Sequence, residues 1–122
     1  MSLVLIVDDD NSVRLYLEMI MLQGGYTLRS LTSGVQALEY LGSSVQKPDL
    51  IVSDHNMPGI TGMELLQNIR KNPALIGIPF VLMTGGKDIE EQEARKAGCS
   101  GFLTKPFPVE QLEELVKQLL QK

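Results

Sequence analysis

Cysteine is nearly absent. Cys99 is the only one, so no intrachain disulfide can form and packing alone must hold the fold. Between Gly98 and Ser100, with no basic neighbour to favour a thiolate, it reads as an inert thiol in a tight turn. No apolar run approaches the ~18–20 residues of a membrane-spanning helix, which excludes a span of that kind. No basic region followed by a cleavable apolar segment marks export, so a reducing cytoplasm is the expected compartment. Cations are outnumbered, with 11 Lys and Arg against 15 Asp and Glu and a formal net charge of −4. That balance disfavours direct nucleic-acid binding, because phosphate contacts need clustered positive charge. Repeats, low-complexity tracts and linker-like stretches are also missing. No Gly-rich phosphate loop ending in Lys-Ser/Thr follows the first apolar run, so a nucleotide-binding fold has little support.

What remains is an ordinary globular composition. The 122 residues, 43% hydrophobic and 21% charged, suit one domain over 1–122 with a real core. Short apolar runs alternate with helical patterns. Leu3–Val7 is the first expected strand, followed by a helix from Ser12 to Gln23 that Gly24-Gly25 terminates. Thr27–Leu31 is the second strand. Ser33 then caps a helix that carries Val35, Leu38 and Leu41 on one face. Leu50–Ser53 forms the third strand, and a loop His55–Thr61 leads to a helix with Leu65, Leu66 and Ile69. Pro79–Met83 is the fourth strand, Asp88–Ala97 a short charged helix ending at Gly98, and Phe102–Thr104 the fifth strand. The last helix begins near Pro108. Five near-continuously apolar strands alternating with five helices imply a doubly wound α/β fold, with a parallel sheet covered on both faces.

Charge appears where folding does not ask for it. Asp8 and Asp9 end the first strand, Asp54 the third, Thr84 follows the fourth, and Lys105 follows the fifth, directly before Pro106. Right-handed crossovers bring all these carboxyl ends to one edge of the sheet, where α/β proteins bind ligands. Three carboxylates at ~4 Å would repel by about 4 kcal/mol per pair at an effective dielectric of ~20. A hard divalent cation is the natural counter-charge, and Mg²⁺ takes a few carboxylates together with waters and phosphate oxygens. Lys105 adds a second positive charge, Thr84 a hydroxyl donor, and Gly85-Gly86 a backbone that an anion can approach. The set is suited to phosphoryl transfer, with Asp54, alone at its strand end, as the carboxylate nucleophile.

In this order and spacing, the motifs Val7-Asp8-Asp9, Asp54-His55-Asn56-Met57-Pro58, Thr84 and Lys105-Pro106-Phe107 cover essentially the whole chain. The chain resembles the receiver domains of two-component response regulators, in particular the single-domain chemotaxis type. The resemblance implies a flavodoxin-like sheet of order 2-1-3-4-5. It implies that Asp54 accepts a phosphoryl group from a histidine kinase or a histidine phosphotransfer protein. Asp8, Asp9, Asp54 and the backbone carbonyl of Asn56 would hold Mg²⁺. Lys105, before a cis Pro106, would pair with Asp54, and Thr84 and the aromatic Phe102 would act as the switch. A downstream protein or a fused output domain would read the fourth helix, fifth strand and fifth helix. Phe102 stands where many members have Tyr, so it repacks without a hydroxyl bond. Gly86 offers no side chain over the site, which leaves an acyl phosphate open to water. The domain would assist its own phosphorylation and dephosphorylation while remaining a switch rather than a metabolic enzyme.

Several residues carry plainer alternatives. Asp8 and Asp9 would also suit a helix N-terminus through the dipole alone, and Thr84 could simply cap the following helix. His55, the only histidine, reads as a solvent-facing loop side chain beside the site, and the charged stretch Asp88–Lys96 as a solvated face. In the first helix Val13, Leu17 and Ile20 form the face that packs on the sheet. Leu15, Met19 and Leu22 form a second apolar stripe on nearly the opposite side. That stripe fits a docking helix of the phosphodonor, a homodimer contact, or cover by another domain. An aspartyl-phosphate phosphohydrolase of the haloacid dehalogenase type would want a second Asp where Asn56 stands. A degenerate receiver used only for binding would not need the full charged set.

Overall fold

The computed structural model describes residues 2–43, 46–86 and 88–121. The elements run β1 (Leu3–Val7), α1 (Asn11–Gln23), β2 (Thr27–Leu31), α2 (Gly34–Ser43), β3 (Leu50–Asp54), α3 (Gly62–Arg70), β4 (Phe80–Thr84), α4 (Glu91–Ala97), β5 (Gly101–Thr104) and α5 (Val109–Leu120). All four pairings are parallel and the strand order is β2-β1-β3-β4-β5, the doubly wound flavodoxin-like arrangement expected from the chain. The order reverses between β1 and β3, so the crevice of an open α/β sheet falls at the end of those two strands.

Side-chain alternation along the strands divides the core. Leu5, Val7, Ile51, Phe80 and Leu82 face one layer with Ala37, Leu41, Leu65, Leu66 and Ile69. Val4, Ile6, Val52, Val81 and Met83 face the other, against Leu17, Ile20 and Met21 of α1 and Leu112 and Val116 of α5. The three inner strands are fully buried along their length, which is why they carry no polar residue until their carboxyl ends.

Local chemistry sets the helix ends. Asp10 caps α1, its carboxylate accepting from the Ser12 and Val13 amides. Thr61 and Glu64 form a capping box at the start of α3. Gly98, at φ 110°, closes α4 in the left-handed conformation, with the Arg70 guanidinium donating to its carbonyl at 2.9 and 3.0 Å. Cys99 beyond it is buried, and burial pushes its thiol up, in keeping with an inert role.

Several sequence expectations shift, most by a residue at an element's end. Helix α4 starts at Glu91, so Asp88 and Glu90 lie in the approach to it. Strand β3 runs one residue further, making Asp54 its last member. Val35 is exposed rather than inward, because the inner face of α2 is Gly34, Ala37 and Leu41. The reason is contact distance: a Cβ on Gly34 would lie 2.4 Å from Ile60, so only glycine lets α2 close on that loop.

Candidate functional site

The carboxyl ends of β1, β3, β4 and β5 meet as the topology requires. Asp8, Asp9 and Asp54 each present a carboxylate oxygen within 4.8 Å of the others. Asp8 is 0% exposed and Asp54 is also buried, while Asp9 stands at the open rim. The register places Asp54 opposite Met83 and Thr84 opposite Thr104, so Thr84 and Lys105 flank the acid cluster from the next two strands. The Lys105–Pro106 peptide is cis, as the resemblance implied. The Lys105 ammonium lies 2.9 Å from Asp54 Oδ1 and 3.4 Å from Asp8 Oδ2. Its backbone N–H donates to the Thr84 carbonyl at 2.8 Å, which ties the lysine to the neighbouring strand.

One lysine does not neutralise three carboxylates. Burial holds the Asp8 carboxyl above the usual carboxylate range, against the Asp10 amide and Lys105, which favour its charge; the Asp54 charge adds to the upward push. Burial alone would lower Lys105, yet its hydrogen bond and attraction to Asp54, with the Asp8 charge behind them, leave it above an ordinary lysine. Asp54 Oδ1 is buried, and its one close partner is the Lys105 ammonium at 2.9 Å. A carboxylate oxygen with a single close partner still has acceptor capacity to spare.

The donor set fits a hard divalent cation. Three carboxylates converge from two strand ends, and Asn56 follows in the loop, where among the described residues no hydrogen bond ends on its carbonyl oxygen. Thr84 is buried, its hydroxyl accepting from the Gly86 amide at 3.4 Å rather than capping α4, whose N-cap Glu90 makes no side-chain cap bond. Phe102 is half-buried on β5 and lines a groove with Glu91, Arg95, Gln111 and Leu115.

The exposed apolar stripe is where the spacing placed it. Leu15 and Leu22 are each 62% exposed and Met19 is 50% exposed, while Leu17, Ile20 and Met21 are buried on the sheet side. Tyr16 continues the apolar surface toward a shallow groove of Val13, Pro106 and Phe107 that reaches Lys105.

His55 departs from expectation: it is 8% exposed, with Nδ1 accepting the Met63 backbone N–H at 3.3 Å. Two further residues were not marked by the sequence pattern. Asp10 shapes the site by donating its amide to Asp8 Oδ1 at 2.9 Å while capping α1, and its position before Asn11-Ser12 is the available signal. Gly62 allows α3 to press on the end of β3: a Cβ there would lie 2.3 Å from the Asp54 carbonyl oxygen and 2.9 Å from His55 Cα.

Comparison with known proteins agrees with this geometry. The family model described as response regulator receiver domain matches residues 4–117, and the chain belongs to that family, the receivers of two-component signalling. Its relatives include the chemotaxis protein CheY of Pseudomonas aeruginosa, 32% identical over 121 residues that cover 98% of this chain and 96% of that one. The DNA-binding transcriptional regulator NtrC of Escherichia coli is 33% identical over 120 residues, 98% of this chain but 25% of NtrC. The chain thus spans about a quarter of that relative's length. A sensor kinase, CckA of Brucella abortus, also contains a matching region. Among solved structures, the chemotaxis response regulator CheY4 of Vibrio cholerae superposes with a TM-score of 0.88 at 31% identity, over 98% of this chain and 99% of that one. The response regulator protein TrrA of Thermotoga maritima, in complex with Mg(2+)-BeF, gives 0.87 at 30% identity, covering 98% and 100%. Among the described residues no helix is long and apolar enough to cross a membrane.

Proposed function

We propose that residues 1–122 act as one phospho-accepting receiver unit whose acceptor is Asp54. A single observation carries this: two other carboxylates and one ammonium converge on the buried Asp54 carboxylate. The complex of TrrA with Mg(2+)-BeF, a protein 30% identical over nearly this whole chain, supports the same reading. Asp8, Asp9, Asp54 and the Asn56 carbonyl would hold Mg²⁺, which when bound supplies charge neutralisation and positioning of phosphoryl oxygens.

The remaining chemistry belongs to the chain. An Asp54 carboxylate oxygen attacks the phosphorus of a phosphohistidine as the P–N bond breaks. The electron pair passes to the imidazole, which takes up a proton. Lys105 moves from its pairing with Asp54 to the phosphoryl oxygens, and Thr84 turns its hydroxyl to donate to them. Phe102 then repacks behind Thr84, changing the surface of α4, β5 and α5 that a downstream protein or fused output domain reads. Water attack on phosphorus, with the P–O bond to Asp54 breaking, returns the carboxylate and releases inorganic phosphate. The protein assists both half-reactions on itself and works in the cytoplasm.

The phosphodonor is a histidine kinase or histidine phosphotransfer protein whose helix packs on Leu15, Met19 and Leu22. This patch adjoins the groove leading to Lys105, so a helix there would bring its histidine toward Asp54. Combining Leu15→Lys with Met19→Lys is expected to lower transfer from a phosphorylated histidine phosphotransfer domain at least ~10-fold, as loss of interface hot spots does. Labelling by acetyl phosphate would stay unchanged. Equal loss with both donors, or with neither, removes the docking surface; loss of a dimer by sedimentation assigns the stripe to self-association.

The acceptor itself is tested by incubating the protein with Mg²⁺ and acetyl phosphate and reading the intact mass. One added phosphoryl group is expected, and none in Asp54→Asn. An unmodified native protein, or a modified Asp54→Asn, overturns the assignment.

A further inference from the structure

Among the described residues, His55 is the one buried titratable group at the rim that the phosphoryl chemistry leaves unused. Its backbone N–H donates to the Met83 carbonyl at 2.8 Å, carrying the β3–β4 pairing one step past Asp54. Its carbonyl accepts from Met57 at 3.1 Å and from Gly62 at 3.0 Å, so one oxygen holds both the start and the end of the loop that carries Asn56. Its ring then accepts the Met63 amide. That amide is one of the α3 first-turn donors that no intrahelical carbonyl can reach. The capping box satisfies the neighbouring Glu64 amide through Thr61 and leaves Met63 to His55.

The same turn presses on the acceptor strand. At Gly62 there is no room even for a methyl group against the Asp54 carbonyl, so any drift of α3 would be felt by the Asp54 and His55 backbone. Directly after Asp54, the ring therefore bridges two things that must keep a fixed relation: the end of β3 and the first turn of α3. Between them lies the Asn56 carbonyl.

We infer that His55 is a positioning residue, whose Nδ1 acceptor locks the first turn of α3 onto the end of β3 and so holds the Asp54 carboxylate and the Asn56 carbonyl at the spacing a cation needs. The inference rests on the proposed Mg²⁺-assisted role of Asp54. An acceptor Nδ1 places the ring proton on Nε2. What the site requires of residue 55 is an acceptor one bond beyond Cγ, which Asn Oδ1 also offers and Leu does not.

The test compares native protein, His55→Asn and His55→Leu. Mg²⁺ alone is titrated into each and binding is followed by calorimetry, with thermal melts recorded in parallel. His55→Leu is expected to weaken Mg²⁺ binding about 10-fold, the scale on which removing a partner behind a metal ligand acts, while His55→Asn stays within about twofold of native. Hydrogen exchange at the Met63 amide should quicken in His55→Leu and remain slow in His55→Asn. A merely structural histidine would lower both melting points without separating the two variants in Mg²⁺ affinity. Native-like Mg²⁺ binding by a folded His55→Leu, or failure of His55→Asn to restore it, overturns the inference while leaving Asp54 as acceptor. Absence of Mg²⁺ binding by native protein overturns the proposed site itself, and the role of His55 with it.

Discussion

Strand β3 begins after one aspartate and ends on another, and the two lead opposite lives. Asp49, at the amino end, directs its carboxylate at the Leu3 amide at 2.8 Å, replacing a strand hydrogen bond that the end of β1 would lack. Asp54, five residues on, pairs instead with the Lys105 ammonium and shares its surroundings with two more carboxylates. The same contrast holds across the sheet. At the amino ends polar side chains serve the backbone, as Ser100 Oγ does for the Phe80 amide at 3.2 Å. At the carboxyl ends the charges face one another. Polar groups at a strand end therefore identify a site by facing one another rather than the backbone, not by being there.

The largest effect expected from breaking the contrast lies in the chemistry of the two aspartates. Asp54→Asn should abolish labelling by acetyl phosphate, while Asp49→Ala should keep it and cost about 1 kcal/mol of unfolding free energy, the net worth of one hydrogen bond. Equal labelling of the two variants by mass would erase the distinction. Next comes Gly62→Ala, whose new methyl must push the Asp54 carbonyl away. A cost of about 1–3 kcal/mol in urea unfolding, together with slower phosphorylation, is the expected outcome of overpacking there. Unchanged rates in a destabilised variant would show that α3 does not position the acceptor.

Asp8 gives an effect of opposite sign. Its carboxyl is held above the ordinary range by burial, so the folded protein binds that proton more tightly than the unfolded chain. The group's contribution to stability is therefore present below the unfolded value near 3.8 and is lost as pH rises through the folded one. At neutral pH without metal its ionised form is a burden. Asp8→Asn should raise the metal-free melting temperature by a few degrees, equivalent to about 1 kcal/mol, and should remove any further rise on adding Mg²⁺. A lower metal-free melting point would mean that Asp8 supports the fold through Lys105 more than burial opposes it.

The smallest effect belongs to Gly86. The nearest atoms to a Cβ there are those of the Asp88 carboxylate, at 3.6 Å and beyond, an ordinary contact distance. Gly86→Glu should prolong the acyl phosphate severalfold, on the order of 1 kcal/mol in the hydrolysis barrier, by covering the approach of water. A half-life equal to native would show that this position does not screen the phosphoryl group.

The positions of Asp8, Asp9, Asp54, Thr84 and Lys105 were legible in the chain because each interrupts or follows an apolar strand, and parallel topology leaves those ends only one place to go. The exposed stripe of Leu15, Met19 and Leu22 was legible because helical spacing opposes it to Leu17 and Ile20 without reference to any other element. What was hidden depends on how closely elements approach. Val35 looks like a core residue until Ile60 is seen to press on Gly34, which turns the small side of α2 inward. Gly62 reads as a neutral helix-start glycine until the Asp54 carbonyl is found behind it. His55 is polar and next to a loop, so hydrophobicity alone sends it outward, and only the path of α3 supplies the Met63 amide that brings it in.

The most direct measurement is the rate of Asp54 phosphorylation by acetyl phosphate as a function of Mg²⁺ concentration. If the three strand-end carboxylates await a cation, the rate rises with Mg²⁺ to a plateau and vanishes with a chelator. Phosphorylation of Asp54 at an undiminished rate in the chelator would contradict the account.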